Sequence, residues 1–276
     1  MADVTTAFVL GGGGVRGAVQ VGMLQALFEA DVHPDLIVGT SVGAINGAAV
    51  AADPTLGVVD RLLQAWASPT AASVYAEPWY RQVRHLARSR VHVYDPAKLR
   101  ALIEEAVGER RTFADLEVPL VVAAASIERA SEHWFDTGPL VEAVLASASV
   151  PGAMPPTVID GEHFVDGGLV NSIPLGEAVR RGATTVYVLQ VGRIEEPLSA
   201  PRSPSDVAKV AFEISRRHRF HRELADVPAD VTVHVLPSGG SLPGDEKVRA
   251  YKRLDATRHR IERSYERTRT YLAEQV

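Results

Sequence analysis

The chain has 276 residues, of which 46% are hydrophobic and 23% are charged, with a formal net charge of −5 and no cysteine. This length and apolar content can form the core of one large domain, and the acidic balance excludes the basic excess typical of a general nucleic-acid-binding protein. The lack of cysteine excludes disulfides, thiolate catalysis and cysteine-ligated metal, and it favours a cytoplasmic location.

The first ten residues predict a strand rather than a secretory signal. They include Asp3, have no basic cluster and contain only a short apolar run. Farther along, the Ala/Val-rich stretch from Val42 is interrupted by Asn46 and ends at Asp53, so the chain has no run of about 18 apolar residues. We therefore expect any membrane contact to be peripheral.

Strand and helix patterns alternate along the chain. Residues 5–10 predict a buried strand that ends in four glycines, and residues 15–30 have the apolar spacing of a helix. Residues 36–38 predict a second buried strand, and the small residues 44–52 predict a second helix after a sharp turn. Further buried strands are predicted at residues 120–124, 185–191 and 231–236. This order favours a three-layer α/β/α fold with a mostly parallel sheet.

The remaining segments predict additions to that sheet. Residues 56–116 contain helical patterns and indicate a helical insertion, while residues 199–205, rich in Pro and Ser, predict a surface loop. Residues 245–276 have the pattern of a charged C-terminal helix. We expect a single domain with a motif-bearing core over residues 5–195 and a C-terminal extension over residues 196–276.

Residues 39–43 have the form Gly-x-Ser-x-Gly and stand between a predicted strand and a predicted helix. A serine at such a turn is held in a strained backbone conformation, and the flanking Gly39 and Gly43 allow neighbouring segments to approach closely. The start of the helix also favours negative charge that develops at the serine. The setting predicts Ser41 as a nucleophile, and the alternative is a tight turn between packed elements.

A glycine-rich loop precedes that turn. Gly11 to Gly14 follow the first strand, and successive glycine amides at a helix start suit either a phosphate or the oxyanion of a tetrahedral intermediate. Gly12, Gly14 and Gly17 also match the dinucleotide fingerprint, but no acid ends the next strand to bind a ribose, which favours the oxyanion. Arg16 is expected to steady this loop, to attract an anionic head group or to pair with a nearby acid.

A third motif places Asp166 between an apolar pair and two glycines, Gly167 and Gly168. A carboxylate at a strand end can accept a proton from serine, because burial and hydrogen bonds tune an acid to act as a base near neutral pH. Asp and Gly also favour plain turns for backbone reasons. Taken alone, this motif leaves both interpretations open.

The glycine-rich loop, the Gly-x-Ser-x-Gly turn and the Asp-Gly-Gly triplet together, in this order, resemble the patatin-like phospholipase family. Residues 146–152 are similar to the Ser-x-Ser-x-Pro region that this family carries ahead of its catalytic acid. The resemblance implies a dyad of Ser41 and Asp166, a three-layer α/β fold and hydrolysis of lipid acyl esters. It also implies an oxyanion hole made by the amides of Gly12, Gly13 and Gly14. The residues that complete the motifs are Arg16, Gly17, Gly39, Gly43, Gly167 and Gly168.

Two alternatives to the dyad remain open at this point. An α/β-hydrolase-like esterase or thioesterase with a Ser-His-Asp triad would draw its base from His163, His218, His221 or His234. A binding module without catalysis would use the glycine-rich loop to hold a nucleotide or a phospholipid head group. The motifs are accompanied by no cluster of metal ligands, so we expect no metal and no cofactor.

The expected partners are a lipid or another acyl-ester substrate, and no nucleic acid. Residues 79–90 place Trp79, Val83 and Leu86 on one helical face with arginines around the rest, a pattern that suits an anionic membrane surface or a solvated face over a core. We therefore expect a cytoplasmic protein with peripheral membrane contact. The sequence leaves the oligomeric state unassigned.

Overall fold

A computed structural model describes residues 5–67, 94–192, 194, 197–201, 203–240 and 254–275. Within these residues, eight strands form one sheet, and helices cover both of its faces. The three-layer α/β arrangement predicted from the alternating patterns is therefore confirmed. Among the described residues, no helix is both long enough and apolar enough to cross a membrane.

The sheet has the order β5-β6-β3-β2-β1-β7-β8, with β4 paired to β3. Its strands are β1 Thr6–Leu10, β2 Leu36–Thr40, β3 Leu120–Ser126, β4 Ser131–Phe135, β5 Thr157–Ile159, β6 Glu162–Asp166, β7 Thr185–Leu189 and β8 Thr232–Val235. Strands β3, β2, β1, β7 and β8 pair in parallel, whereas β4 and β6 run antiparallel to β3.

The helices pack on the two faces of this sheet. They are α1 Val19–Glu29, α2 Val42–Ala52, α3 Gly57–Ala67, α4 Pro96–Val107, α5 Leu140–Ser147, α6 Leu175–Arg180, α7 Pro204–Ala225 and α8 Leu254–Gln275, with 3₁₀ turns at Gly14–Ala18, Phe113–Asp115 and Gly167–Leu169. Side chains alternate along a strand, so Phe8 and Leu10 of β1 join the core under α1 to α5, while Ala7 and Val9 join the core under α6 and α7.

The predicted buried strands all form, each within about two residues of its expected bounds. The first two predicted helices also form, although the first starts as the 3₁₀ turn Gly14–Ala18 and becomes α-helical at Val19. The sequence pattern missed β4 and β5, because β4 is largely polar and β5 has only three residues. The prediction of a loop over residues 199–205 was wrong for its last two residues, which belong to α7. Ser203 accepts a hydrogen bond from the Asp206 amide and caps α7, which begins at Pro204, since Ser and Pro also favour helix starts.

The described part of the predicted insertion at residues 56–116 contains α3 and α4. The basic amphipathic pattern at residues 79–90 lies outside the described residues. At the other end of the chain, α8 packs along α1, on the same face of the sheet as α2.

Candidate active site

Ser41 stands at the turn between β2 and α2 with φ 56° and ψ −123°. A positive φ is costly for a residue with a side chain, by about 1–3 kcal/mol, and persists where the surroundings hold it. Here the Ser41 amide donates to Ser147 Oγ at 2.8 Å, and its carbonyl accepts the Ala44 and Ile45 amides at the start of α2. The turn thus fixes the direction in which the hydroxyl points.

Gly43 explains why α2 lies so close to the end of β1. A Cβ at this position would be 2.0 Å from the Leu10 carbonyl oxygen, which is well inside van der Waals contact. Any side chain here would push α2 away from β1 and carry Ser41 with it. The second glycine of the pentapeptide is therefore required for close approach of helix and strand.

The strands that carry Ser41 and Asp166 meet end to end on one edge of β3. Strand β2 pairs with β3 up to Thr40, opposite Ala123, and β6 pairs with β3 from Asp166, opposite Ala124. Strand β4 pairs with residues 122–126 of β3, and these overlap both the residues that pair with β2 and those that pair with β6. Strands β2 and β6 therefore both lie on the edge of β3 opposite β4, one after the other along it. Because β2 is parallel and β6 antiparallel to β3, their carboxyl ends converge. The Ser41 hydroxyl donates to Asp166 Oδ2 at 2.6 Å.

Asp166 is buried, with 6% of its surface exposed. Burial raises the pKa of its carboxyl group to about 6, although hydrogen bonds from the Ser41 hydroxyl and the Gly168 amide oppose this rise. The Gly168 amide donates to Oδ1 at 2.7 Å. Gly167 fits the turn because a Cβ there would be 2.2 Å from the Ala123 carbonyl oxygen. The Asp166 side chain is therefore a carboxylate near neutral pH, and one of its oxygens accepts a hydrogen bond from the Ser41 hydroxyl.

We expect kcat/KM for a neutral aryl ester to fall as the pH drops through about 6. The pKa of Asp166 is raised from 3.8 to about 6, so the carboxylate that can accept a proton predominates above that pH and is lost below it. A pH–rate profile from acidic to mildly alkaline buffer measures this limb, after the protein is shown to stay folded across the range. Full activity a whole pH unit below 6 would contradict a base with this pKa.

The glycine-rich loop lies beside Ser41, but its three predicted donors differ. The Gly12 amide already donates to the Ser172 carbonyl at 2.8 Å. The Gly13 and Gly14 amides have no hydrogen-bond partner among the described residues, as expected at the start of the 3₁₀ turn Gly14–Ala18. Of the three predicted donors, the amides of Gly13 and Gly14 are therefore the two without a partner among the described residues.

Arg16 follows the loop and pairs with an acid, one of the roles expected from the sequence. Its Nη2 lies 3.2 Å from Glu213 Oε1 on α7. Gly17 packs directly on α2, since a Cβ there would be 2.3 Å from Val42 Cγ2. Gly39 packs on the same helix, with its Cβ position 2.7 Å from the Gly43 carbonyl oxygen.

A family model described as Patatin-like phospholipase matches residues 8–179, which is more than half of the chain and includes all three motifs. The chain belongs to the patatin-like phospholipase family. It is 32% identical over 190 residues to the Patatin-like phospholipase domain-containing protein ZK370.4 of Caenorhabditis elegans, and 30% identical over 186 residues to the Neuropathy target esterase sws of Drosophila melanogaster.

Those alignments cover 68% and 67% of this chain but 14% and 13% of the relatives. The chain thus spans about one seventh of the length of the curated relatives it matches. A superposition on the crystal structure of VipD from Legionella pneumophila gives a TM-score of 0.46 at 13% identity, covering 99% of this chain and 67% of that chain. The family resemblance predicted from the motifs is confirmed by the family model.

Behind the glycine-rich loop of this patatin-like domain runs a buried polar chain that sequence analysis missed. Trp66 Nε1 donates to Asn46 Oδ1 at 3.2 Å, and Asn46 Nδ2 donates to Gln20 Oε1 at 2.8 Å. Gln20 Nε2 in turn donates to the carbonyls of Gly11 and Leu189 at 2.9 and 2.8 Å. The only signal in the sequence was a polar residue within each of two apolar helices.

An apolar pocket opens beside Ser41, on the face of the sheet that carries α2, α3 and α4. Ser41, Gly14 and Ala148 are among the residues that line this pocket. The larger side chains that line it are Val42, Ile45, Leu62, Trp66, Leu99 and Leu102. The lining of the pocket is therefore mostly hydrocarbon and includes Ser41.

The four histidines considered as an alternative base form other contacts. His163 Nδ1 lies 2.6 Å from Glu128 Oε1. The His234 ring stacks on the ring of Tyr187, with 4.7 Å between the ring centroids. His218 and His221 are exposed on α7. In the described ranges, none of the four hydrogen-bonds to the Ser41 hydroxyl, and no group of three or more His, Asp or Glu side chains is placed to hold a metal.

Proposed function

We propose that this chain is a lipid acyl hydrolase that cleaves carboxylic esters with a dyad of Ser41 and Asp166. The observation that carries the proposal is the 2.6 Å hydrogen bond from the Ser41 hydroxyl to a buried carboxylate whose pKa is about 6. Membership of the patatin-like phospholipase family supports lipid esters as the substrate class, and one relative carries the name esterase.

In the first half of the proposed reaction, Ser41 Oγ attacks the ester carbonyl carbon while Asp166 Oδ2 takes the hydroxyl proton. The carbonyl oxygen becomes an oxyanion, which the amides of Gly13 and Gly14 stabilise by hydrogen bonds. The start of α2 adds a favourable field at the same place. The bond to the leaving alcohol then breaks, and Asp166 returns its proton to that alcohol oxygen. The acyl group stays on Ser41.

In the second half, water attacks the acyl carbon of the ester on Ser41. Asp166 takes one proton from this water, and the same amides hold the new oxyanion. The bond between the acyl carbon and Oγ then breaks, and Asp166 returns the proton to Oγ. The free acid leaves, and Ser41 and Asp166 are restored to their starting states.

The apolar pocket beside Ser41 supports a fatty acyl chain as the part of the substrate that is recognised. An aliphatic chain in this pocket would remove apolar surface from water on both sides, which contributes roughly 0.8 kcal/mol for each buried methylene. Ala106 of α4 lines the pocket, whereas Ala101 of the same helix is exposed. These two alanines provide a matched pair for testing the role of the pocket.

The protein is expected to release free fatty acid from phosphatidylcholine and to prefer long-chain over acetyl aryl esters. Ala106→Leu should lower kcat/KM for a dodecanoyl ester by about tenfold or more while leaving the acetyl ester nearly unchanged, because one misplaced side chain in an apolar site costs about 1–3 kcal/mol. Ala101→Leu is the control and should leave both esters unchanged. Equal losses on both esters would show that the pocket does not recognise the long acyl chain. An absence of any ester turnover in the parent protein would refute the proposed function.

A further inference from the structure

The glycine-rich loop carries the two amides proposed to hold the oxyanion, yet it has no side chains with which to position them. Gly11 to Gly14 are four glycines in a row, and glycine has the greatest backbone freedom of all residues. Gly14 has a φ of 59°, and a Cβ added there would meet no atom within 4 Å. The positions of the Gly13 and Gly14 amides must therefore be set by contacts from outside the loop.

Two buried side-chain amides hold the two ends of this loop. Gln20 Nε2 donates at 2.9 Å to the carbonyl of Gly11, where the loop begins. Asn46 Nδ2 donates at 3.1 Å to the carbonyl of Gly17, in the 3₁₀ turn that follows the loop. Asn46 Nδ2 also donates to Gln20 Oε1 at 2.8 Å, so the two ends are tied to each other. Gln20 and Asn46 are 0% and 1% exposed, and water therefore does not compete for these hydrogen bonds.

The groups at the two ends of this chain of hydrogen bonds fix its direction. Trp66 Nε1 can only donate, so the Asn46 atom that it contacts must be Oδ1, which leaves Nδ2 for the loop. At the other end, Gln20 faces the carbonyls of Gly11 and Leu189, which can only accept. Its Nε2 must therefore lie on that side, and its Oε1 must face Asn46. A flip of either amide would leave buried polar atoms without partners, so both amides are held in one orientation.

We propose that Gln20 is a positioning residue for the ester hydrolysis and that Asn46 supports it. Together they fix the amides of Gly13 and Gly14 where an oxyanion on the substrate needs them. The inference rests on the proposed function, because these positions matter to turnover only if the amides receive an oxyanion. Gln20 is not among the residues that line the apolar pocket, so it acts through the loop. Displaced amides lose more of their interaction with the transition state than with the ester in its ground state, so the loss falls on kcat.

The test compares Gln20→Met with Gln25→Met, each shown to be folded by circular dichroism. The control makes the same change on the same helix, at a half-buried glutamine that donates to Glu29. Kinetics are measured on an acetyl aryl ester, which makes little use of the apolar pocket. Gln20→Met should lower kcat about 10–10²-fold, somewhat less than the outright loss of an oxyanion donor. Its KM should stay within about threefold of the parent's, and Gln25→Met should match the parent in both constants.

A trifluoromethyl ketone inhibitor reports on the oxyanion donors directly. Ser41 Oγ bonds to the ketone carbon, the hydroxyl proton goes to Asp166, and the ketone oxygen becomes an oxyanion that stays bound. The affinity for this inhibitor should fall in Gln20→Met by the same factor as kcat. The acidic limb of the pH–rate profile near pH 6 should stay where it is, because that limb belongs to Asp166.

Several outcomes would overturn the role of Gln20. They are a folded Gln20→Met with the parent's kcat, a loss confined to KM, and a loss in kcat without the matching loss of inhibitor affinity. A displaced acidic limb would also overturn it, since the dyad rather than the loop would then be disturbed. If Gln20→Met does not fold, Asn46→Ala decides by the same criteria, because it leaves both carbonyl contacts of Gln20 in place. Absence of acetyl ester turnover in the parent would instead refute the hydrolase.

Discussion

Ser41→Ala is expected to lower kcat for ester turnover by about 10⁴–10⁶, because no other nucleophile is placed beside Asp166 and the loop amides in the described site. The substitution should leave the fold intact. The turn is held by the Ser41 amide on Ser147 Oγ and by the Ser41 carbonyl at the start of α2, and alanine retains both groups.

Two measurements check this result. Turnover of an acetyl aryl ester is compared between the parent and the variant, with circular dichroism to show that both are folded. A fluorophosphonate probe, which modifies activated serines, should label the parent at Ser41 and should not label the alanine variant. Ser131→Ala, which removes an exposed hydroxyl on β4, is the control and should react as the parent does. Turnover retained by Ser41→Ala would refute the nucleophile assignment.

Asp166→Asn is expected to lower kcat by about 10²–10⁴, the usual cost of losing a general base. The amide keeps the shape of the carboxyl group, and its oxygen can still accept from the Gly168 amide. The same substitution should leave the stability of the folded protein unchanged or increase it. A carboxyl group whose pKa is about 6 when folded and 3.8 in its reference state destabilises the folded protein near pH 7, by about 3 kcal/mol at 1.36 kcal/mol per pH unit. The neutral variant should therefore unfold at equal or higher denaturant concentration.

The double variant tests whether the two residues act as one catalytic unit. If they do, Ser41→Ala with Asp166→Asn should be little slower than Ser41→Ala alone, because effects within a unit are strongly non-additive. Single replacement of His163, His218, His221 or His234 by glutamine should reduce kcat far less than Asp166→Asn. The Ser–Asp dyad is refuted if Asp166→Asn has a near-normal kcat while one of the histidine variants is folded but inactive.

Local patterns in the sequence were enough to predict much of the fold. Strands β1 and β2 are short, apolar and bounded by glycine, and the helix after each begins at a recognisable turn, so both units were predicted close to their observed bounds. Strands β7 and β8 were also predicted within about two residues of their observed bounds. Ser41 was predicted as nucleophile for the same reason, since a strand, a sharp turn and a helix within a few residues are encoded by neighbours in the chain.

The partners of these local units were decided by the tertiary structure. Asp166 is 125 residues from Ser41, and the two meet because β6 aligns Asp166 with Ala124 on the edge of β3 that β2 leaves free after Thr40. Motif order alone did not contain this register, and strand β4, which closes the other edge, was too polar to be predicted. From the residues alone, Asp166 remained either a base or a plain turn.

Three further features of the site depend on contacts between distant segments. The Gly12 amide, one of three predicted oxyanion donors, is engaged by the carbonyl of Ser172, and Arg16 is paired with Glu213 across 197 residues. The apolar pocket forms where α3 and α4 pack over α2. Hydrophobic periodicity and turn chemistry act over one or two turns of chain, so the sequence alone predicts the strands, the helices and the candidate nucleophile. The hydrogen-bond partners, the raised pKa of Asp166 and the pocket arise only when strand register and helix packing bring distant residues into contact.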